Sequence, residues 1–195
     1  MADWDNHYQS RQIGEKEIAP VLAANLHLLP GKGKVLDYAC GLAMNAIWFA
    51  SRGYDVTALD SSLVAIEKVN QYCHQNNIKI NALVRDLEVD PPVDELYDVV
   101  IVSFFLHRQT LRNIQNLIRP GGLLFYQTYS GHQVAGRGAS NPAFRLQPGE
   151  LLTVFSDMQI LYYREDMDYG DVSKGDRGQA LLVAAKSGKN VNERK

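Results

Sequence analysis

Cysteine is nearly absent from this 195-residue chain, which carries only Cys40 and Cys73. One falls in a turn of small residues and the other in a predicted helix. Neither placement suggests a structural disulfide, so a reducing, cytoplasmic setting is expected. No apolar run is long enough to span a bilayer, and no amino-terminal stretch reads as a secretion signal, so no membrane partner is expected. An excess of charge of either sign is also missing. The 20 Lys and Arg nearly balance the 22 Asp and Glu, leaving a net charge of −2 and no reason to expect general nucleic-acid binding. Repeats are absent, and the only compositional bias is a polar tail over 187–195, expected to be disordered. Glu88, Asp90, Asp94, Glu95 and Asp98 crowd one loop, but in no order that matches a metal-ligand loop, so a solvated loop without metal is expected. What remains, 46% hydrophobic and 22% charged residues, suits a single soluble domain.

The chain is organised around Lys34 to Ala50. A short apolar run ends in Asp37, small residues surround Gly41, and Ala46, Ile47, Phe49 and Ala50 mark a helix packed on the strand. A strand, a small-residue turn and a helix start form a cradle in which a ligand can approach unpaired backbone N–H groups. Tyr54 to Asp60 reads as a second strand ending in an acid, where nucleotide-binding α/β folds hold ribose hydroxyls. Ile80 to Val84 reads as a third, followed by Asp86. Tyr97 to Ser103 is a continuous apolar run of the kind buried in a parallel sheet. Such alternation argues for an open, doubly wound, mostly parallel sheet, with ligands outside the carboxyl ends of its strands. Asp37, Asp60, Asp86 and Ser103 all fall at such ends.

The segment Asp37-Tyr38-Ala39-Cys40-Gly41-Leu42-Ala43 resembles the Asp-x-Gly-x-Gly-x-Gly motif of class I S-adenosylmethionine-dependent methyltransferases. The aspartate and central glycine match, and the outer glycines are alanines. Asp-Leu-Ala-Cys-Gly is common here in the branch resembling tellurite-resistance methyltransferases. Ala43 puts a methyl where that family's backbone approaches its ligand, and Met44 stands where many of that branch carry Arg. Later segments resemble the family in order: Asp86-Leu87 after the third strand, Arg119-Pro120-Gly121-Gly122 before the fifth, and a closing strand pair, Gln159–Glu165 and Gln179–Lys186. The resemblance implies a Rossmann-like seven-stranded sheet with a carboxyl-terminal antiparallel hairpin. It also implies a 29–186 cofactor domain behind a 1–28 cap and helix. The cofactor is S-adenosylmethionine, leaving as S-adenosylhomocysteine. Its implied contacts are Asp37, Ala39, Cys40, Gly41 and Asn45 at the first turn, Asp60 and Ser61 at the second, Asp86 and Leu87 at the adenine, and Ser103 near the methyl.

The remaining residues leave choices open. Met1 to Gly14 is either a disordered terminus or a flap anchored by Trp4 and Tyr8. Glu17 to Leu29 carries a helical apolar stripe. Ser62 can cap the helix carrying Leu63, Ile66, Val69 and Cys73. Ser130 to Gln147 is long for a compact domain, has glycine hinges, and begins beside the donor end of the sheet, so it is read as a substrate lid. Candidate bases are His107, Tyr129 and His132, with His107 read first as a helix-capping or surface histidine and second as a proton acceptor. Arg137 and Arg145 could hold an anionic substrate. After the fourth strand comes Ser103-Phe104-Phe105, not the Asp or Asn common in amino-nitrogen methyltransferases.

The expected activity is methyl transfer to a small-molecule acceptor, a thiol or a tellurite- or selenite-type oxyanion, by a monomer or homodimer. Two rivals stand beside it. A nicotinamide-dependent oxidoreductase would share Asp60 but needs Gly-x-Gly-x-x-Gly, which is absent. A non-catalytic S-adenosylmethionine-binding or partner subunit would fit Ala43 and Met44.

Overall fold

A computed structural model describes residues 3–15, 17–131, 133–134 and 136–188. The strands are β1 (Lys34–Tyr38), β2 (Asp55–Asp60), β3 (Asn81–Val84), β4 (Tyr97–Ser103), β5 (Ile118–Tyr129), β6 (Gln159–Arg164) and β7 (Gln179–Ala185). They form one seven-stranded sheet in the order β3-β2-β1-β4-β5-β7-β6. The first five are parallel and β7 runs antiparallel between β5 and β6. Strand order reverses between β1 and β4, so the ligand crevice is expected above their carboxyl ends.

Alternation along the central strands splits the core in two. Val35, Val56, Val99, Ile101 and Phe125 face α3 (Met44–Ala50) and α4 (Leu63–Gln75), whose Ala46, Phe49, Ile66 and Val69 cover them. Leu36, Leu59, Val100, Val102 and Tyr126 face the other way, under Leu111, Ile114 and Leu117 and under Leu151 of α6 (Glu150–Val154). The period of two thus buries both faces, which is why β4 is apolar throughout. Ser62 caps α4, its hydroxyl accepting from Ala65 N at 3.1 Å.

Three segments depart from the expected outline. The stripe over 17–29 is not one helix. Pro20 opens α2 (Pro20–Ala23), and a separate 3₁₀ turn, Leu26–Leu28, follows. Proline at a first turn is well placed, and in an interior it would remove a helix bond. After α5 (Arg108–Leu111) the chain continues as a 3₁₀ segment, Arg112–Leu117. The Arg119–Gly122 turn lies inside β5 as a bulge, pairing passing from Tyr97↔Ile118 to Val99↔Leu123. Arg119 holds it through Asp98 at 2.8 Å, and a Cβ at Gly122 would meet Asp98 O at 2.9 Å.

The amino-terminal segment is docked. α1 (Trp4–Gln9) lies on α4, where Asp5 Oδ1 accepts from Ser62 Oγ at 2.6 Å and from Val64 N at 3.2 Å. Lys68 Nζ donates to the carbonyls of Tyr8, Gln9 and Arg11 at 2.7, 2.8 and 2.7 Å. Lys68→Met should therefore speed amide exchange of residues 4–11 by about tenfold or more while leaving α4 protected, read by hydrogen–deuterium exchange. Unchanged exchange would mean that apolar contacts alone hold α1. The tail expected to be disordered falls mostly on 189–195, outside the described residues.

Candidate functional site

β1 delivers Asp37 into the floor of the crevice, fully buried. Its Oδ2 accepts from Ala46 N at 3.0 Å in the first turn of α3. Its Oδ1 has no hydrogen-bond partner within bonding geometry among the described residues. The neighbouring Asn45 amide directs Nδ2 to Ser103 Oγ at 3.3 Å and accepts from Ala19 N at 2.9 Å, so one side chain ties together α2, α3 and β4. Burial pushes the Asp37 carboxyl up to about 7, with Asp60 adding to the shift, against the lowering effect of Ala46 N–H and Asn45.

The turn between β1 and α3 winds through left-handed backbone at Ala39 (φ 58), Gly41 (φ 53) and Ala43 (φ 57). Only Gly41 is closely confronted from outside, since a Cβ there would stand 2.5 Å from the Tyr8 hydroxyl. Asp60, at the end of β2, accepts from Gly41 N at 2.7 Å and from Ser62 N at 2.9 Å. Burial raises its pKa against those N–H groups. Burial likewise pushes the Cys40 thiol well up, with Asp37 and Asp60 adding to it, which leaves it a packed thiol and not a nucleophile.

Ala43 does not point at the ligand side. It is 0% exposed and belongs to the core beneath the sheet. Met44 packs on the same core, and its sulfur receives Gly14 N at 3.3 Å. Neither side chain therefore fills the cradle as their sequence positions suggest.

Asp86 sits just beyond β3, half-buried, with Oδ1 accepting from Glu88 N at 3.0 Å. Leu87 turns inward and is 3% exposed. Ser61 is exposed and Ser103 half-buried at the ends of β2 and β4. The expected cofactor residues thus line one edge of the sheet, from β3 through β2 and β1 to β4.

The candidate catalysts are more scattered. Tyr129 ends β5, its ring 5.1 Å from that of Phe104. His107 Nδ1 lies 3.0 Å from Thr110 Oγ1, within the start of α5. Arg137 reaches away, to the carbonyls of Gly175 and Ser173, both at 3.5 Å. Arg145 is half-buried, and its Nε has no partner among the described residues. His132 lies outside the described residues. The 130–147 loop is closed at its base, where Leu146 N donates to Tyr129 O at 2.9 Å and Gly131 N to Leu146 O at 3.0 Å.

Two features escaped sequence reasoning. Arg108 makes a forked pair with Glu150 (2.8 and 2.9 Å) and donates to the carbonyls of Ala143 and Arg145 (3.1 and 2.8 Å), pinning the loop to α5. Nothing local marks an arginine for that task, because its partners lie 35 to 42 residues away. Phe104 adopts φ 58 and is 40% exposed. The sequence places it directly after the fourth strand, but its left-handed backbone and outward ring carry no local signature.

Comparisons with known proteins bear on the family and the fold. Residues 5–183 match the family described as tellurite resistance protein TehB. A ubiquinone biosynthesis O-methyltransferase of Rickettsia akari is 36% identical over 109 residues, 53% of this chain and 42% of that protein. The chain thus spans under half the length of that curated relative. Among solved structures, TehB from Haemophilus influenzae superposes with a TM-score of 0.73 at 22% identity, covering 94% of this chain and 67% of that one. A TehB-like S-adenosylmethionine-dependent methyltransferase from Corynebacterium glutamicum gives 0.61 at 19%, covering 89% and 90%. At such identities these two likenesses speak for the fold.

Proposed function

The chain belongs to the TehB family of class I S-adenosylmethionine-dependent methyltransferases, and on that premise we propose that it transfers a methyl group from S-adenosylmethionine to a small-molecule acceptor. The observation that carries this reading is the row of carboxylates along one sheet edge, Asp86, Asp60 and Asp37, arranged about a turn whose Gly41 leaves no room for a side chain.

The residues suit such a cofactor. Asp37 offers a buried oxygen that lacks a donor, which an ammonium group would supply. Asp60 keeps lone pairs for ribose hydroxyls beyond its two backbone donors. Asp86, with the backbone beside Leu87, would take the adenine edge. The cofactor supplies an electrophilic methyl, and the chain's own part is to hold, orient and exclude water.

Family kinship and the curated relative's name leave oxygen and sulfur acceptors open, including thiols and tellurite- or selenite-type oxyanions. A nucleophile that ionises on its own suits this site, because the described base candidates are poorly directed: His107 is engaged with Thr110. Ala43 in the core, with Met44 packed on the same core, favours the catalytic reading over a non-catalytic one.

Calorimetric titration with S-adenosylmethionine, S-adenosylhomocysteine and NADH, repeated on Asp60→Ala, tests the proposal. Both adenosyl compounds should bind, and the variant should bind at least about tenfold more weakly, the loss expected for a charged hydrogen-bond acceptor. Binding of NADH alone would overturn the reading.

A further inference from the structure

We infer that the methyl acceptor carries an aromatic ring, held against Phe104 and Tyr129 at the carboxyl ends of β4 and β5. This rests on the methyl-transfer reading and names the substrate class of that same site.

Position comes first. The acids occupy the edge over β3, β2 and β1, and Ser103 on β4 is tied to Asn45 at 3.3 Å. The next ground along that edge belongs to Phe104 and to Tyr129 on β5.

Conformation comes second. Phe104 N donates to Gln127 O at 2.7 Å, extending the β4–β5 ladder by one step. The next residue is drawn inward, with Phe105 O accepting from the Tyr126 hydroxyl at 2.7 Å and its ring edge-on to Tyr38 at 5.5 Å. The backbone must turn between these anchors, and Phe104 does so at φ 58, a steric penalty for any residue with a Cβ. Glycine or asparagine would make that turn more easily. A large ring stands there instead, 40% exposed and tilted against Tyr129.

Chemistry comes third. The Phe104 and Tyr129 rings lie 5.1 Å apart at 45°. Beyond them the Met167 methyl stands 3.0 Å from where a Gly131 Cβ would be, and Met167 is itself left-handed at φ 50. Of the nearby charges, Arg145 keeps a buried Nε without a partner among the described residues, while Glu165 and Arg137 are engaged. Glu165 accepts from Ser130 Oγ, Tyr163 Oη and Gly149 N, and Arg137 turns to the 173–175 carbonyls. Two rings and a thioether offer dispersion and quadrupole contacts to a flat ring, and little to a compact hydrated oxyanion.

The test uses the full chain saturated with S-adenosylhomocysteine and three probes: phenylmethanethiol, cyclohexylmethanethiol and tellurite. The two thiols share their nucleophile and carbon count and differ in aromaticity. Phenylmethanethiol should bind about fivefold tighter than its saturated partner, by calorimetry, and its ring protons should receive saturation transfer. Phe104→Ala and Tyr129→Leu should each remove that preference without changing affinity for S-adenosylhomocysteine. Phe104→Leu, which keeps the bulk, should also remove it. Equal binding of the two thiols, a preference that survives Phe104→Ala, or binding of tellurite alone would overturn the inference. If S-adenosylhomocysteine itself does not bind, the methyl-transfer reading fails first and this inference falls with it.

Discussion

Replacing Gly41 by alanine is expected to weaken S-adenosylhomocysteine binding by about a hundredfold, a loss of about 3 kcal/mol. Left-handed backbone separately costs about 1–2 kcal/mol of folding stability, since φ is 53 and alanine has a Cβ. The affinity itself is lost because the new methyl stands where the ligand approaches the backbone. The new methyl would stand 2.5 Å from the Tyr8 hydroxyl and 3.0 Å from Tyr8 Cζ, so the Tyr8 ring must move off the turn. Ala39 and Ala43 make the comparison informative. Both are already left-handed alanines, yet the Ala43 methyl faces the core, so φ alone does not forbid a side chain in this turn. Adding Tyr8→Phe to Gly41→Ala removes the nearest atom and should restore protection of residues 4–11 in hydrogen exchange, without restoring affinity. Full recovery of affinity in the double variant would show that the Tyr8 clash, and not the ligand's approach to the backbone, sets the requirement for glycine.

The second large effect is a pH dependence centred on Asp37. Its folded pKa stands near 7 against an ordinary value of 3.8, so between those limits the folded state binds a proton that the unfolded state has lost. Stability of the free protein should therefore fall as pH rises from about 4 to about 7, and level off above, by an amount on the order of 4 kcal/mol from this group. Below pH 4 the opposite trend takes over, because Asp166, hydrogen-bonded to Arg164, and Glu150, held down by Arg108 against its burial, carry lowered pKa values. Asp37→Asn should flatten the fall between pH 4 and 7 in urea titrations. A bound ammonium would favour the carboxylate, so affinity for S-adenosylmethionine should rise through the same window with release of a proton, and Asp37→Asn should abolish that release. A wild-type stability curve that rises smoothly across this window would exclude the buried, proton-holding Asp37.

Much of this was legible in the chain itself, for physical reasons that act locally. Apolar runs ending in Asp37, Asp60 and Ser103 mark parallel strands because a strand buried on both faces admits no polar alternation until its carboxyl end emerges. Ser62 signals a helix start because its hydroxyl caps a nearby N–H, here Ala65 N. The hairpin of β6 and β7 is visible as two apolar stretches around a turn-rich loop. Local pattern misled at Glu17–Leu29, where an apolar stripe suggested one helix. There Asn45 and Gln127, accepting from Ala19 N and Val21 N at 2.9 Å each, seat Pro20 at a helix start that tertiary contacts select.

The sequence alone therefore determined the sheet, the carboxyl ends of its strands and the acids along them, since each follows from short-range periodicity and chain order. Only the tertiary structure decided which way each small or aromatic residue of the site faces. Ala43 went to the core, Tyr8 onto Gly41, Phe104 outward through a strained turn, and Arg108 across to the loop. Those outcomes depend on partners tens of residues distant, whose positions are set by packing and carry no local signature.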